Sequence, residues 1–504
     1  MKKIINFLFK YKFEVILSFL ILLYISYFSY LSLIRHNSLY SGYYDLAIMD
    51  QTVYNTFRGR ILELTNPEGI NNFKRMAIHN DIVMVLLAPF YFIFSGPQTL
   101  LIIQAIIIAL GAIPIYLLCK SILKSKYFGT IFAFVYLMYP PLQRANLFDF
   151  HPVMLATTFL LFMFYLFSIK KYWPSIIFFL LAIFSKEQIP LTTTVFGFLM
   201  AVFAKKENNR KKLFFSGLIF IISLFWFIAS IWLIAPYFRQ GQHFALFRYK
   251  SLGDGPMEII SNLLTKPSIY INIILNINNL KYLFLLLAPL GLLSLFSPIY
   301  LLIASPEFMI NFLSSHSQMR AIDHHYTAVI IPFVFISAIF GAKEIIKRQI
   351  LSNRKISILL ILSTLIISYY KGLLPYSKDS KLNLFLSPRS EISSIKLWEK
   401  KLNNENISIS ASESLGPHFS QRKKIFRFSG SYKHADYVLI LRNNIYHDWL
   451  GKKQSISDYE RLKIDKGYNI IYKDHDFEVY KKRGDIFSMK KNSIVNCAFL
   501  VFRM

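Results

Sequence analysis

Cysteine is nearly absent from the 504 residues: Cys119 ends an apolar run and Cys497 lies in the tail. Two such thiols supply neither a disulfide framework nor a cysteine metal site, so redox chemistry has no residues to work with. Acids are scarce too, 28 Asp and Glu against 57 Lys and Arg, for a formal net charge of +29. The basic residues sit in short bursts between apolar runs and not along one helical face or arm, which excludes the usual footprint of a nucleic-acid binder. HExxH and related metal spacings are missing, and no internal duplication of the kind built into many transporters is visible.

What the chain has is apolar surface. Hydrophobic residues make up 54% and aromatics 17%, with 48 Phe, a combination that points to the bilayer as solvent. After MKKIINFLFKYK the run from Phe13 to Ile34 is long enough to span and lacks a small-x-small cleavage site, so it reads as a retained first helix. Further apolar stretches fall near 82–95, 98–119, 127–140, 153–169, 173–185, 189–204, 213–235, 282–296, 298–313, 326–342 and 356–370. A span needs roughly 17–25 residues, so 82–95 is read as re-entrant or interfacial, leaving about eleven spans.

The positive-inside rule orients this arrangement. With the N-terminus inside, segments 1–12, 120–127, 170–171, 205–212, the short turn near Ser297 and 343–355 are cytoplasmic and hold nineteen Lys and Arg, with Glu207 and Glu344 as their acids. The outer loops 35–81, 141–152, 185–188, 236–281 and 314–325 are over twice as long in total but carry thirteen basic residues and ten acids. Beyond the transmembrane part, 1–370, residues 371–504 change composition to 25 basic and 14 acidic residues. Here 392–402 reads as an amphipathic helix, 407–412, 424–428 and 436–441 as strands, and 468–473 with 477–482 as a hairpin, together a small extracytoplasmic α/β domain. No Gly-rich phosphate loop or nucleophile and base pair occurs in it, and CAFLVFRM at the end is too short to span.

Ionisable groups at membrane depth cost roughly 2.5–3.5 kcal/mol each, so those present mark cavities or pairs. The first outer loop holds Asp45 and Asp50, five apart and about 140° around a helix, too far round to face one substrate together. Asp45, next to the first span, is either catalytic or a solvated helix cap. His79 and Asp81 could converge on a metal only from extended backbone, and a helix N-cap at Asn80 or Asp81 is the commoner explanation. Asp149 and His151 repeat that spacing, with Pro152 starting a helix and His151 held extended. Lys186 and Glu187 interrupt an apolar run: they form a mutual ion pair, or the lysine binds a lipid phosphate. Glu307, Asn311, His316, Arg320, Asp323, His324, His325 and Tyr326 read as a polar pocket wall on one face.

The runs YYDLAIMDQTVYNTFRG, HNDIVMVLLAPFYFIFSGPQTLLIIQAIIIALGAIPIYLL, FDFHPVMLA, SKEQIPL and SPEFMINFLSSHSQMRAIDHHYTAVIIPF, in this order, resemble an uncharacterised family of prokaryotic polytopic membrane proteins. ISASESLGPHFSQRKKIFRF and ADYVLIL resemble its C-terminal part, so the likeness runs from about Tyr43 to about Tyr480. That family is similar in layout to the GT-C glycosyltransferases: a first span, a large acidic outer loop, a partly embedded segment, then paired spans. The layout is much less specific than the family blocks. It implies an acid of the first loop as catalytic residue, Asp45 by position and Asp50 second, although no Asp-x-Asp or Asp-Glu pair stands there.

The resulting expectation is a plasma-membrane protein that transfers a sugar from a polyprenyl-phosphate donor to an acceptor at the outer leaflet. Lys186 and Arg320 would hold the phosphate, with Glu187, His324, His325 and Tyr326 beside it. A divalent metal ion would sit near His79, Asp81, Asp149 or His151. Asp45, Asp149, His151, Lys186 and Arg320 are expected to line one outward cavity. The rivals are a transporter or lipid flippase, which the one-sided clustering of polar residues disfavours, and a non-catalytic receptor or assembly factor.

Overall fold

The structure, a computed structural model, describes residues 10–241, 244–380, 382–387, 389–447 and 452–483. The basic residues before Lys10 and the CAFLVFRM tail with Cys497 lie outside the described residues. The chain is mostly helical and divides into two units, the first made of Met1–Ser41, Thr52–Glu63 and Phe73–Ser387.

In that unit the apolar stretches carry helices. Lys12–Asn37 buries Leu17, Ile21, Tyr24, Phe28 and Leu31, three or four residues apart, while Phe19, Leu22 and Leu23 on its other side are 55–63% exposed. A helix that shows large apolar side chains outward is at home in lipid and not in water. Pro97–Leu110 and Ala112–Ile122 meet at Gly111, and Lys126–Leu137, Pro152–Ser168, Tyr172–Ile183, Ile189–Lys206 and Arg210–Ile228 follow. Among the described residues four helices are long and apolar enough to cross a membrane: Lys12–Asn37, Pro97–Ile122, Ile189–Lys206 and Arg210–Arg239. Shorter apolar helices accompany them, so the count of eleven spans remains a proposal.

Residues Ile82–Phe92 form a 3₁₀ helix around Pro89. At about 2.0 Å per residue it reaches roughly 22 Å, short of the ~30 Å hydrocarbon core. The 236–281 stretch, read from the sequence as loop, contains Pro256–Thr265 and Pro267–Ile274, each opened by a proline whose missing N–H costs the first turn nothing.

Ile330–Lys347 runs through the centre of this unit with thirteen of its 18 residues buried. Its neighbours approach to backbone distance: a Cβ on Gly341 would stand 2.0 Å from the Leu293 carbonyl oxygen. The Ser337 hydroxyl donates to the carbonyls of Ser294 (2.7 Å) and Ser297 (2.8 Å), and the Ser294 hydroxyl donates to Val334 (2.8 Å). Small residues and short hydroxyl bonds are how helices pack where lipid supplies no hydrophobic drive between them.

The second unit comprises Gly42–Gln51, Leu64–Asn72 and the chain from Pro388. Glu63–Thr65 and Asn72–Lys74 (β1 and β2) pair as a short ribbon. The remaining strands are Ile409–Ala411 (β3), Ile425–Arg427 (β4), Tyr437–Leu441 (β5), Tyr468–Asp474 (β6) and Phe477–Lys482 (β7). They form one sheet in the order β4-β3-β5-β7-β6, with β3 parallel to β4 and β5 and the last two pairings antiparallel. These strands and the helix Ile392–Lys401 fall where the sequence pattern placed them.

The division differs from the 370/371 boundary expected from composition, because pieces of the first loop are stitched into this unit. Glu413 accepts the backbone N–H of Tyr43 (2.9 Å) and Tyr44 (3.4 Å), capping the π-helical turn Tyr43–Ala47, and its other oxygen takes Arg427 Nε at 2.8 Å. Gln51 donates to the Arg422 carbonyl and Ile425 N–H donates to Thr65 Oγ1.

Candidate functional site

The turn between Tyr172–Ile183 and Ile189–Lys206 carries Lys186 and Glu187, both buried. They do not form the mutual ion pair that their adjacency suggests. Glu187 Oε1 lies 2.7 Å from His79 Nδ1, and its Oε2 accepts the Asn80 N–H at 3.1 Å. The Asn80 side chain donates to Ser230 Oγ at 2.7 Å. Burial pulls His79 below the ordinary histidine range, against the pull of Glu187, so the neutral ring donates Nδ1–H to the carboxylate.

Lys186 is thereby left with its charge and no anion bonded to it. Among the described residues Nζ has no hydrogen-bond or ion-pair partner; it lies over the Tyr326 ring, 5.8 Å from the centroid. Burial pulls this ammonium below the ordinary lysine range, with Glu187 opposing and Arg248 adding to the effect. The Arg248 guanidinium lies 5.9 Å from the same ring, and its Nη1 is 3.5 Å from the Tyr326 hydroxyl.

Next to Tyr326 stand two stacked imidazoles. His325 and His151 have ring centroids 3.8 Å apart at 22°, and Phe148 stacks on His151 at 5.5 Å. His325 Nδ1 is buried with no hydrogen-bond partner among the described residues, and burial and then His151 hold its pKa well below the usual range. His324 meets Phe148 edge-on at 4.5 Å. His151 is extended (φ −139°) before Pro152, as its sequence context requires, and Asp149 is drawn away to Arg35 Nη1 at 2.6 Å. Gln104, an amide midway along the apolar helix Pro97–Leu110, sets this loop: it donates to the carbonyls of Asn146 and Asp149 and accepts the His151 N–H at 2.9 Å.

The remaining candidates are occupied elsewhere. Asp81 stands at the N-cap of Ile82–Phe92 but makes no side-chain cap; its carboxylate is held by Arg75 at 2.8–3.1 Å, both groups buried. Arg320 donates to the carbonyls of Phe312 and Ser314. Of the expected pocket wall, Glu307 accepts from Gln188 (2.8 Å) and Asn311 donates to the Tyr326 carbonyl (3.0 Å). Asp323 pairs with Arg144, and His316 bonds Gln318. Asp45 and Asp50 belong to the second unit: Asp45 is half-buried in the π turn, and Asp50 is buried with Ser420 Oγ (2.6 Å) and Gln421 Nε2 (3.2 Å) on its oxygens.

Among the described residues no group of three or more His, Cys, Asp or Glu side chains gathers as a metal ion would require. Asp81 with Arg75, Asp149 with Arg35 and His79 with Glu187 are instead separate pairs. Sequence reasoning missed Arg35, Arg75, Gln104 and Arg248. Gln104 alone carried a signal, as an amide flanked on both sides by apolar residues within the run 98–119.

Among curated proteins none matches the sequence. Among solved structures, ArnT from Cupriavidus metallidurans bound to undecaprenyl phosphate is similar with a TM-score of 0.46 and 10% identity, covering 91% of this chain and 97% of that one. A family model described as predicted membrane protein (DUF2079) matches residues 35–479, and the chain therefore belongs to that family of membrane proteins.

Proposed function

We propose that the chain is a GT-C-type membrane glycosyltransferase that takes a sugar from a polyprenyl-phosphate donor and passes it to an acceptor at the outer leaflet. Its N-terminus would be cytoplasmic and its C-terminal α/β unit extracytoplasmic. The observation that carries this reading is Lys186, a buried ammonium with no carboxylate at ion-pair distance among the described residues, with Arg248 over the same Tyr326 ring. A buried charge without a partner costs several kcal/mol, and a ligand phosphate removes that cost.

In the transfer, the acceptor hydroxyl attacks the anomeric carbon, the carbon–oxygen bond to phosphate breaks, and its electron pair leaves on the phosphate. Lys186 and Arg248 are suited to the charge that builds there. Arg248 takes the part the sequence suggested for Arg320, whose guanidinium is spent on carbonyls. The stacked His151 and His325 with Tyr326 offer ring faces and edges to a sugar. The GT-C likeness assigns the acceptor base to Asp45, whereas Asp50, hydrogen-bonded by Ser420 and Gln421, anchors its own segment.

The test is retention of a polyprenyl monophosphate by the purified protein, read by native mass spectrometry, alongside acceptor modification in cells. Lys186→Ala is expected to lose the lipid and the modification, and Asp45→Asn the modification alone. Retention by Lys186→Ala equal to that of the parent protein overturns the reading.

A further inference from the structure

The helices that carry Lys186 at one end border a cavity at the other. It holds about 240 Å³. Its walls are Phe164, Phe196, Phe203 and Tyr300, with Tyr300 stacked on Phe340 at 4.1 Å. Ile122, Lys170, Glu207 and Lys212 also border it, so three of the basic segments, 120–127, 170–171 and 205–212, meet at this end of the bundle.

The chemistry of the walls and of the mouth differ sharply. Inside, aromatic rings meet edge to face, Phe164 with Tyr300 at 5.7 Å and Phe167 with Phe196 at 5.2 Å, leaving a space fit for a hydrocarbon. At the mouth stand two lysines and one carboxylate. Lys170 makes no ion pair among the described residues, and Lys212 meets Glu207 at 2.8 Å in a pair whose carboxylate is exposed and open to solvent, so the pair is weak and yields to a stronger anion. Within 205–212 there are five Lys and Arg and one acid, and Lys171 adds another cation beside the mouth. Trp173, 66% exposed on the same turn, marks the level of a bilayer interface, where indole rings gather.

We infer that this cavity is a binding site for an anionic glycerophospholipid, one acyl chain entering between the aromatic walls and the phosphate lying between Lys170 and Lys212. A basic pocket between helices at the lysine-rich face of a membrane protein is built for such a headgroup. The site is independent of the transfer reaction, because it shares no residue with the Lys186 cluster.

The experiment is delipidation of the purified full chain followed by native mass spectrometry in mixed phosphatidylglycerol and phosphatidylcholine. The parent protein is expected to retain phosphatidylglycerol in preference, and the double variant Lys170→Glu with Lys212→Glu to lose that preference on the order of tenfold. Met200→Trp, which fills the cavity from within, is expected to lose the lipid while leaving the surface charge intact. The control Lys205→Glu with Lys211→Glu changes the same charge at positions that do not line the cavity. Equal retention of both lipids by the parent, or equal loss in control and test variants, overturns the site in favour of diffuse surface attraction. If Met200→Trp does not fold, the comparison of the two charge variants still decides the matter.

Discussion

Glu187 reaches His79 across 108 residues of sequence, carboxylate to Nδ1 at 2.7 Å, and in doing so leaves its chain neighbour Lys186 without an ion-pair partner among the described residues. Two adjacent, oppositely charged residues thus take opposite roles. Glu187→Ala is expected to destabilise the protein by about 1–3 kcal/mol, since the Asn80 N–H and the His79 ring lose a buried acceptor. Lys186→Ala removes a buried unpaired charge and is expected to unfold at an equal or higher temperature than the parent. Thermal unfolding in detergent compares the two; parallel losses would mean that the residues support one another as a pair.

The lowered pKa of Lys186 gives the proposed phosphate site a pH dependence. The ammonium is charged below its folded pKa and neutral above it, so phosphate retention falls as pH rises, and does so below the ordinary lysine value of 10.5. Lys186→Arg, which stays charged throughout that range, is expected to flatten the profile. Retention of polyprenyl phosphate measured against pH for both proteins checks this, and identical profiles would show that Lys186 does not titrate at the ligand.

Arg75 and Asp81 are a bidentate pair, each nearly without solvent. Arg75→Ala leaves the carboxylate buried and unpaired, with an expected loss of about 3–5 kcal/mol. Replacing both partners by apolar residues, Arg75→Met with Asp81→Leu, should recover most of it. Expression level and unfolding temperature of the three proteins provide the measurement; a double variant as poor as the single one would point to a role for the charges beyond each other.

In the second unit Glu413 ties the first-loop turn to β4 through Tyr43, Tyr44 and Arg427. Burial pushes its carboxyl up, and Arg427 holds it back. Glu413→Ala is expected to cost about 1–3 kcal/mol and to speed amide exchange in 42–51 far more than in the β5 to β7 strands. Uniform exchange across the unit would mean that the loop segment is held by other contacts.

The sequence by itself determined the membrane character, the positions of many of the apolar helices and the strands of the C-terminal sheet. Those follow from hydrophobic runs and periodicity, which are local properties of the chain. It also marked Lys186 and His151 as polar groups in apolar surroundings and Tyr326 as part of a polar pocket wall. It could not decide which charges pair. Asp149 with Arg35, Asp81 with Arg75 and Glu187 with His79 are chosen by burial and by the reach of each side chain across helices, and adjacency in sequence misled at Lys186 and Glu187. Nor could composition show that Gly42–Gln51 folds with the C-terminal unit: a loop segment finds its acceptor, Glu413, only where the folded chain brings an unsatisfied N–H and a carboxylate within 2.9 Å.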